Sequence, residues 1–146
     1  MATFDRKATT DWQGGLMDGH GVTKAGTGAF SLAVTFPNRI GEPAGKTSPE
    51  ELMAAAHAAC FAMALNGALG KKGAKARKTQ VTATVTADKS DAGLKILSSK
   101  VHAVVEGLEG MTPAEFSTFV KEADKGCPVS NAYRGTMRID VEGSAK

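Results

Sequence analysis

Two cysteines, Cys60 and Cys127, are the residues of this chain with the clearest chemical potential. Cys60 lies in the middle of an apolar run, where a free cysteine is often no more than a small core residue. Cys127 lies between a glycine and a proline at a predicted helix start, a position that can lower a thiol pKa and leave it partly exposed. Thiolates attack peroxides and exchange with disulfides, so the pair could carry redox chemistry, while a packing role for Cys60 stays open.

Two charged residues precede the Cys60 run and could activate its thiol. If Arg39, in the preceding loop, folds onto the Cys60 turn, its guanidinium favours the thiolate. Glu50, the second residue of the predicted helix, could hold that guanidinium in a bidentate pair. The alternatives are a solvated surface arginine and a glutamate that only compensates the helix dipole.

Composition and charge narrow the class of protein. The chain has 146 residues, of which 42% are hydrophobic and 23% charged, with a formal net charge of +3. Scattered basic residues do not favour a nucleic-acid partner. No apolar run approaches the ~20 residues of a membrane span, and the N-terminus lacks a signal-peptide core, so we expect no membrane and a cytoplasmic protein. Cytosolic cysteines are kept reduced, so any pairing would be catalytic or regulatory.

The elements that must position these residues begin with a β-rich section. Residues 8–36 predict two or three antiparallel strands, the clearest alternating from Phe30 to Phe36, with a loop over residues 38–47. Ser48, Pro49 and Glu51 then form a capping-box signal for a helix over residues 50–69. This helix is apolar nearly all round, which predicts a central, buried helix that carries Cys60.

The second half predicts a hairpin, two helices and a final strand. Alternation over residues 81–87 and 94–105, with a turn at Asp91–Gly93, predicts the hairpin. A capping box at Thr112–Glu115 opens a helix to about Lys125, a short helical piece follows Cys127, and residues 137–141 form a last strand. The fold class is therefore α+β with a mainly antiparallel sheet, in one domain over residues 1–146.

Two motifs resemble those of the OsmC/Ohr family of osmotically inducible and organic hydroperoxide resistance proteins. The first is Asn38-Arg39 followed by Gly45-Lys46-Thr47-Ser48-Pro49-Glu50-Glu51-Leu52 and Ala54-Ala55-Ala56-His57-Ala58-Ala59-Cys60-Phe61. The second is Gly126-Cys127-Pro128-Val129-Ser130. The resemblance implies an OsmC-like fold in an intertwined homodimer, with active sites at the subunit interface.

Residue by residue, the resemblance also implies roles. Cys60 matches the peroxidatic cysteine, Cys127 the resolving cysteine, and Glu50 the glutamate that orients an arginine. Arg39 matches the arginine of the OsmC branch. His57 also favours this branch, because Ohr-like sequences tend to carry an aromatic residue at the position of His57.

The implied activity is a thiol-dependent peroxidase that defends against oxidative stress. It reduces organic hydroperoxides to alcohols through a Cys60 sulfenic acid and a Cys60–Cys127 disulfide. An external dithiol of the lipoyl type restores the thiols, and no metal or other cofactor is needed. Apolar neighbours suit an alkyl or lipid peroxide, and the expected pocket comprises Met53, His57, Phe61 and Met63.

Two other classes of function fit some of the same residues. A zinc module could use His57, Cys60 and Cys127, but His20 and His102 supply no convincing fourth ligand. A thiol redox sensor would use the same two cysteines without sustained turnover.

Overall fold

The computed structural model describes residues 2–146, which form two compact units. One unit ends at Pro49 and the other spans Glu50–Lys146. Each contains one three-stranded sheet, so the chain is α+β as predicted. The single domain over residues 1–146 stays a prediction.

The N-terminal unit is built on three antiparallel strands, as the alternation predicts. They are hydrogen-bonded in chain order: β1 (Ala8–Gln13), β2 (His20–Ala25) and β3 (Ser31–Val34).

A short helix, α1 (Phe36–Ile40), replaces the end of the predicted strand and the start of the predicted loop. The Thr35 side chain caps it by accepting a hydrogen bond from the amide of Asn38 at 3.2 Å. Pro37 lies in the first turn, where its fixed φ suits a helix and its missing N–H costs nothing. The strand predicted from the alternation up to Phe36 therefore extends too far, because β3 ends at Val34.

The helix that carries Cys60 is α2 (Pro49–Lys71). Residues four apart form its buried side: His57, Phe61, Leu65 and Leu69. The opposite side is exposed within this chain and includes Ala55, Ala59 and Met63. The all-round apolar composition predicts burial on every side, whereas this chain alone buries one stripe.

By length and composition, α2 is also long and apolar enough to cross a membrane. The expectation that no apolar stretch approaches that length was therefore wrong. The core helix of a soluble protein passes the same test, so the finding identifies no membrane span by itself.

The second sheet combines the predicted hairpin with the last strand. β4 (Lys78–Ser90) and β5 (Gly93–Glu106) pair antiparallel, and β6 (Arg138–Ala145) pairs with β5 in parallel. A parallel pair needs a crossover connection, and α3 (Pro113–Asp124) and α4 (Pro128–Tyr133) lie within it. Of the four strand pairings within residues 2–146, three are antiparallel, which confirms a mainly antiparallel class.

The two crossover helices begin at the predicted positions. α3 has a complete capping box, in which Thr112 accepts the amide of Glu115 and the Glu115 carboxylate accepts the amide of Thr112. Cys127 is the N-cap of α4.

The core of the C-terminal unit lies between α2, α3 and the inward face of β5. Its fully buried hydrophobic members are Phe61, Leu65, Leu69, Val101, Ala103, Val105, Phe116, Val120 and Cys127. The resolving-cysteine candidate is thus part of the core, and Cys60 packs against the core from its edge.

Candidate active site

Cys60 is partly buried at the boundary between the two sides of α2. Its helix neighbours Ala59 and Met63 are exposed, whereas Phe61 is completely buried. At about 100° per residue, Cys60 lies beside the buried stripe without belonging to it. The sulfur is therefore within reach of solvent and of the core, which corrects the reading of Cys60 as a plain core residue.

Cys127 has the reverse exposure from the one expected. Its exposed fraction is 0%, although a helix N-terminus between glycine and proline suggested partial exposure. Its Sγ accepts the backbone amide of Ser130 at 3.5 Å, so the side chain turns inward to cap α4. This inward orientation places Cys127 in the core.

The two thiols interact with each other, and both are unbridged. Burial raises the pKa of Cys60, as expected when a charged thiolate loses water. The backbone amide of Val129 opposes this by favouring the thiolate, whereas the hydrogen bond and charge of Cys127 raise the pKa further. The structure thus brings the two cysteines together with Cys60 in its protonated form.

A buried imidazole, His57, lies one turn before Cys60 on the same helix. Its Nδ1 is hydrogen-bonded to Ser99 Oγ at 2.6 Å and its Nε2 to Ser130 Oγ at 2.7 Å. In a neutral imidazole one ring nitrogen donates and the other accepts, so both nitrogens are satisfied. Burial lowers the pKa of His57, and Arg134 adds to that effect while Asp124 opposes it. His57 is therefore neutral around pH 7.

Three further contacts hold the end of α4. The Tyr133 hydroxyl donates to the carbonyl of Met53 at 3.0 Å, and its ring meets that of His57 edge-on at 5.3 Å between centroids. Arg134 donates from Nη2 to Oδ2 of the buried Asp124 at 2.7 Å. These contacts link α4 to both α2 and α3.

Four residues of this cluster were assigned no role from the sequence: Ser99, Ser130, Asp124 and Arg134. Ser99 did carry a signal, because it occupies an inward position of β5 that otherwise alternates as Val101, Ala103 and Val105. A polar residue on an apolar, inward face needs a buried partner. Tyr133, the single tyrosine of the chain, carries no local signal for its hydroxyl bond to the carbonyl of Met53.

The two charged candidates lie in different units. Arg39 is in the last turn of α1, and Glu50 is the second residue of α2; both side chains are partly buried. Their pairing and their action on Cys60 stay predictions.

The expected pocket residues do not form one exposed surface. Phe61 and His57 have no solvent exposure. Phe61 packs in the core, and the His57 ring is buried between the two serine hydroxyls to which it is hydrogen-bonded. Met53 is partly buried, and Met63 is 74% exposed. The two methionines are therefore the members of the set that an incoming molecule could contact in this chain.

Within residues 2–146, no group of three or more His, Cys, Asp or Glu side chains is arranged to hold a metal ion. His57 already uses both ring nitrogens on serine hydroxyls, so it has no nitrogen left for a ligand bond. The donor chemistry at the cysteine pair does not fit the zinc-module alternative.

Comparison with known proteins adds an independent observation. The family model described as OsmC-like protein matches residues 41–142. Peroxiredoxin OsmC of Escherichia coli (strain K12) is 34% identical over 142 residues, covering 96% of this chain and 97% of that protein. Organic hydroperoxide resistance protein OhrA of Bacillus subtilis (strain 168) is 38% identical over 98 residues, or 66% of each chain. The crystal structure of an organic hydroperoxide resistance protein OsmC from Legionella pneumophila has a TM-score of 0.75 at 28% identity, covering 100% of this chain and 99% of that one.

Proposed function

The chain belongs to the OsmC-like protein family, and from that premise we propose that it is a cysteine-based peroxidase that reduces organic hydroperoxides to alcohols. The observation that carries the proposal is the contact between a partly exposed Cys60 and a completely buried Cys127. The partly exposed Cys60 thiol is accessible to a peroxide from solvent, so it reacts first. The buried Cys127 thiol is in place to react with the oxidised Cys60. Relatives named peroxiredoxin and organic hydroperoxide resistance protein support the same class of substrate.

The first step oxidises Cys60. Its thiolate attacks the distal oxygen of the hydroperoxide, a sulfur–oxygen bond forms, and the oxygen–oxygen bond breaks. The alkoxide takes a proton and leaves as the alcohol. Cys60 is left as a sulfenic acid, and the peroxide has received two electrons.

The second step protects Cys60 from further oxidation. The Cys127 sulfur attacks the sulfenic sulfur, a disulfide forms, and water leaves. An external dithiol, of the lipoyl type, then exchanges with this disulfide and restores both thiols. The cycle needs no bound metal or other cofactor.

Arg39 and Glu50 are proposed to activate Cys60. Burial and the Cys127 thiol both raise the pKa of Cys60, and the Val129 amide alone opposes them. A cation beside the sulfur would favour the thiolate, and a carboxylate would hold that cation in a fixed orientation. Their positions in the family-like motif are the reason for choosing these two residues.

The working form is proposed to be a homodimer in the cytoplasm, in defence against oxidative stress. The exposed side of α2 supports the dimer, because apolar residues follow one another there at helical spacing: Ala55, Ala59 and Met63. A contiguous apolar face marks an interaction surface. Cys60 lies beside this face, so a partner subunit covering it would also enclose the thiol and the organic part of the peroxide.

Exchange of each cysteine for serine tests the proposed function. We expect Cys60→Ser to abolish consumption of cumene hydroperoxide. Cys127→Ser should still reduce one equivalent and accumulate sulfenic acid on Cys60, because no thiol condenses with it, and a second equivalent should take that sulfenic acid to sulfinic acid. Mass spectrometry after one equivalent of peroxide locates the modification.

The wild-type protein with excess peroxide and dihydrolipoamide separates an enzyme from a sensor. Many turnovers per chain are expected, whereas a single oxidation that a dithiol reverses slowly would favour the redox sensor. Oxidation of Cys127 before Cys60 would reverse the assigned roles.

A further inference from the structure

Three pairs of residues join α4 to α2 in an ordered series. The pairs are Cys127 with Cys60, Ser130 with His57, and Tyr133 with Met53. The α2 members are spaced four and three apart, which places them on one face of that helix. Along this series the residue numbers increase on the α4 side and decrease on the α2 side. The two helices therefore run antiparallel where they meet.

We propose that His57 and Tyr133 are positioning residues that hold α4 in the register along α2 that places Cys127 at Cys60. The inference rests on the proposed function for the step it serves, the condensation of the Cys60 sulfenic acid with Cys127. In that step a sulfur–sulfur bond forms and a sulfur–oxygen bond breaks. The leaving hydroxide and the thiol proton of Cys127 combine as water.

The position of α4 along α2 needs side-chain contacts, because a helix this short does not fix its own position. The helix has six residues, and Ser130 is its one buried member. Helices this short are not stable on their own, so packing and side-chain bonds fix their position. A slip of one helical turn moves a residue by about 5.4 Å, as large as the whole Cα separation that a disulfide accepts. A displaced α4 would therefore leave the sulfenic acid unresolved.

Ser130 connects His57 to the sulfur of Cys127 through two hydrogen bonds. Its hydroxyl bonds His57, and its backbone amide donates to Cys127 Sγ. On the other side of the ring, Ser99 ties the imidazole to β5. The ring is thus fixed to the sheet and presents its second nitrogen to α4.

A matched pair of variants tests the proposal. Ser130→Ala and Ser99→Ala each remove one buried hydroxyl from His57, but only the first breaks the link to α4. The first readout is the equilibrium between the Cys60–Cys127 dithiol and its disulfide in glutathione buffers, which needs no peroxide. The second is the ratio of disulfide to sulfinic acid after cumene hydroperoxide, and thermal unfolding is followed for both variants.

We expect Ser130→Ala to lower both the disulfide equilibrium constant and the disulfide-to-sulfinic ratio at least tenfold, a factor of ten in the constant being about 30 mV. Ser99→Ala should change each by less than about threefold, although it destabilises the fold to a similar extent. Ser130→Thr, which keeps the hydroxyl, should restore the wild-type values. Equal losses in Ser99→Ala and Ser130→Ala, or no rescue by threonine, would overturn the proposal.

Tyr133→Phe provides a second test if Ser130→Ala does not fold. It removes the bond to the Met53 carbonyl and keeps the ring against His57. The disulfide equilibrium constant should fall at least threefold, and an unchanged constant would contradict a positioning role. A wild-type protein that forms the disulfide in glutathione but does not consume peroxide would refute the proposed function and leave this inference supported by the variants.

Discussion

At the scale of single residues, the protonation state of Cys60 is the first barrier to the chemistry. Burial, as the largest cause, raises its pKa, and the Cys127 thiol adds to the effect. The reacting species is the thiolate, whose fraction falls tenfold for each unit by which the pKa exceeds the pH. A positive charge beside the sulfur is the simplest correction, and α2 supplies none near Cys60, since its basic residue in the last turn is Lys71.

We therefore expect Arg39→Ala to raise the pKa of Cys60 and slow peroxide reduction by at least ~100-fold, about 2.7 kcal/mol of transition-state stabilisation. Glu50→Ala should cost less, because it misdirects the guanidinium without removing it. Lys46→Ala removes a cation from the loop that follows α1 and serves as the control.

The pH dependence of Cys60 alkylation, measured in a Cys127→Ser background, checks this prediction. A higher pKa means that the thiolate appears only at higher pH, so the alkylation midpoint should move upward in Arg39→Ala. The background lacks a thiol that itself raises the pKa, so all variants are compared within it. An unmoved midpoint and an unchanged peroxide rate would locate the activating cation elsewhere.

The two cysteines could be singled out from sequence because their motifs resemble those of a known family, and the roles that this resemblance implies stay predictions. The residues around His57 were not, since Ser99 and Ser130 are 42 and 73 positions away from it along the chain. Such contacts depend on tertiary register, which local spacing does not encode. The inward serine on β5 indicated that a buried partner exists without identifying it.

At the scale of elements, local signals gave the order of strands and helices and missed two features. The alternation and capping patterns predicted the hairpin, α2, α3 and α4. The short α1 was missed because the alternation from Phe30 to Phe36 predicts a strand up to the residue where α1 begins. The parallel pairing of β6 was also not predicted, because strand direction is set by the crossover and not by the pattern within the strand.

The packing of α3 on β6 depends on Gly143. A Cβ there would lie 2.7 Å from Val120 Cγ1, 3.1 Å from the Ala103 carbonyl oxygen and 3.3 Å from Phe116 Cε1. We expect Gly143→Val to destabilise the protein by about 1–3 kcal/mol through overpacking.

Urea unfolding measures this loss, and Ser144→Val, on the exposed side of the same strand, is the control. The control should stay within about 0.5 kcal/mol of the wild type, as surface substitutions usually do. Equal free energies of unfolding for Gly143→Val and the wild type would mean that α3 is not packed closely on β6.

At the scale of the whole molecule, the exposed apolar side of α2 is the surface through which we expect the homodimer to form. Met63, the largest side chain of this apolar side, is 74% exposed. Met63→Glu should shift the protein from dimer to monomer, because a carboxylate would be buried without a partner in the interface. Light scattering coupled to size-exclusion chromatography measures the mass.

Leu97→Glu is the control, since Leu97 is an exposed apolar residue outside α2. It should leave the mass of two chains unchanged. A wild-type protein with the mass of one chain would contradict the proposed dimer, and dissociation by Leu97→Glu alone would move the interface to the hairpin.

The parallel pairing of β5 with β6 also has a consequence for how the chain reaches its working state. α3, Cys127 and α4 all lie between these strands in sequence, and Ser98 pairs with Arg138 across that connection. Pairing over so long a separation costs the entropy of loop closure before any contact offsets it, so we expect it to form late in folding. Cys60 lies on a helix of local contacts, which we expect to form earlier. During synthesis and refolding, the Cys60 thiol would then be present for a time before Cys127 is held beside it, and in the proposed cycle a sulfenic acid formed in that interval has no thiol to condense with.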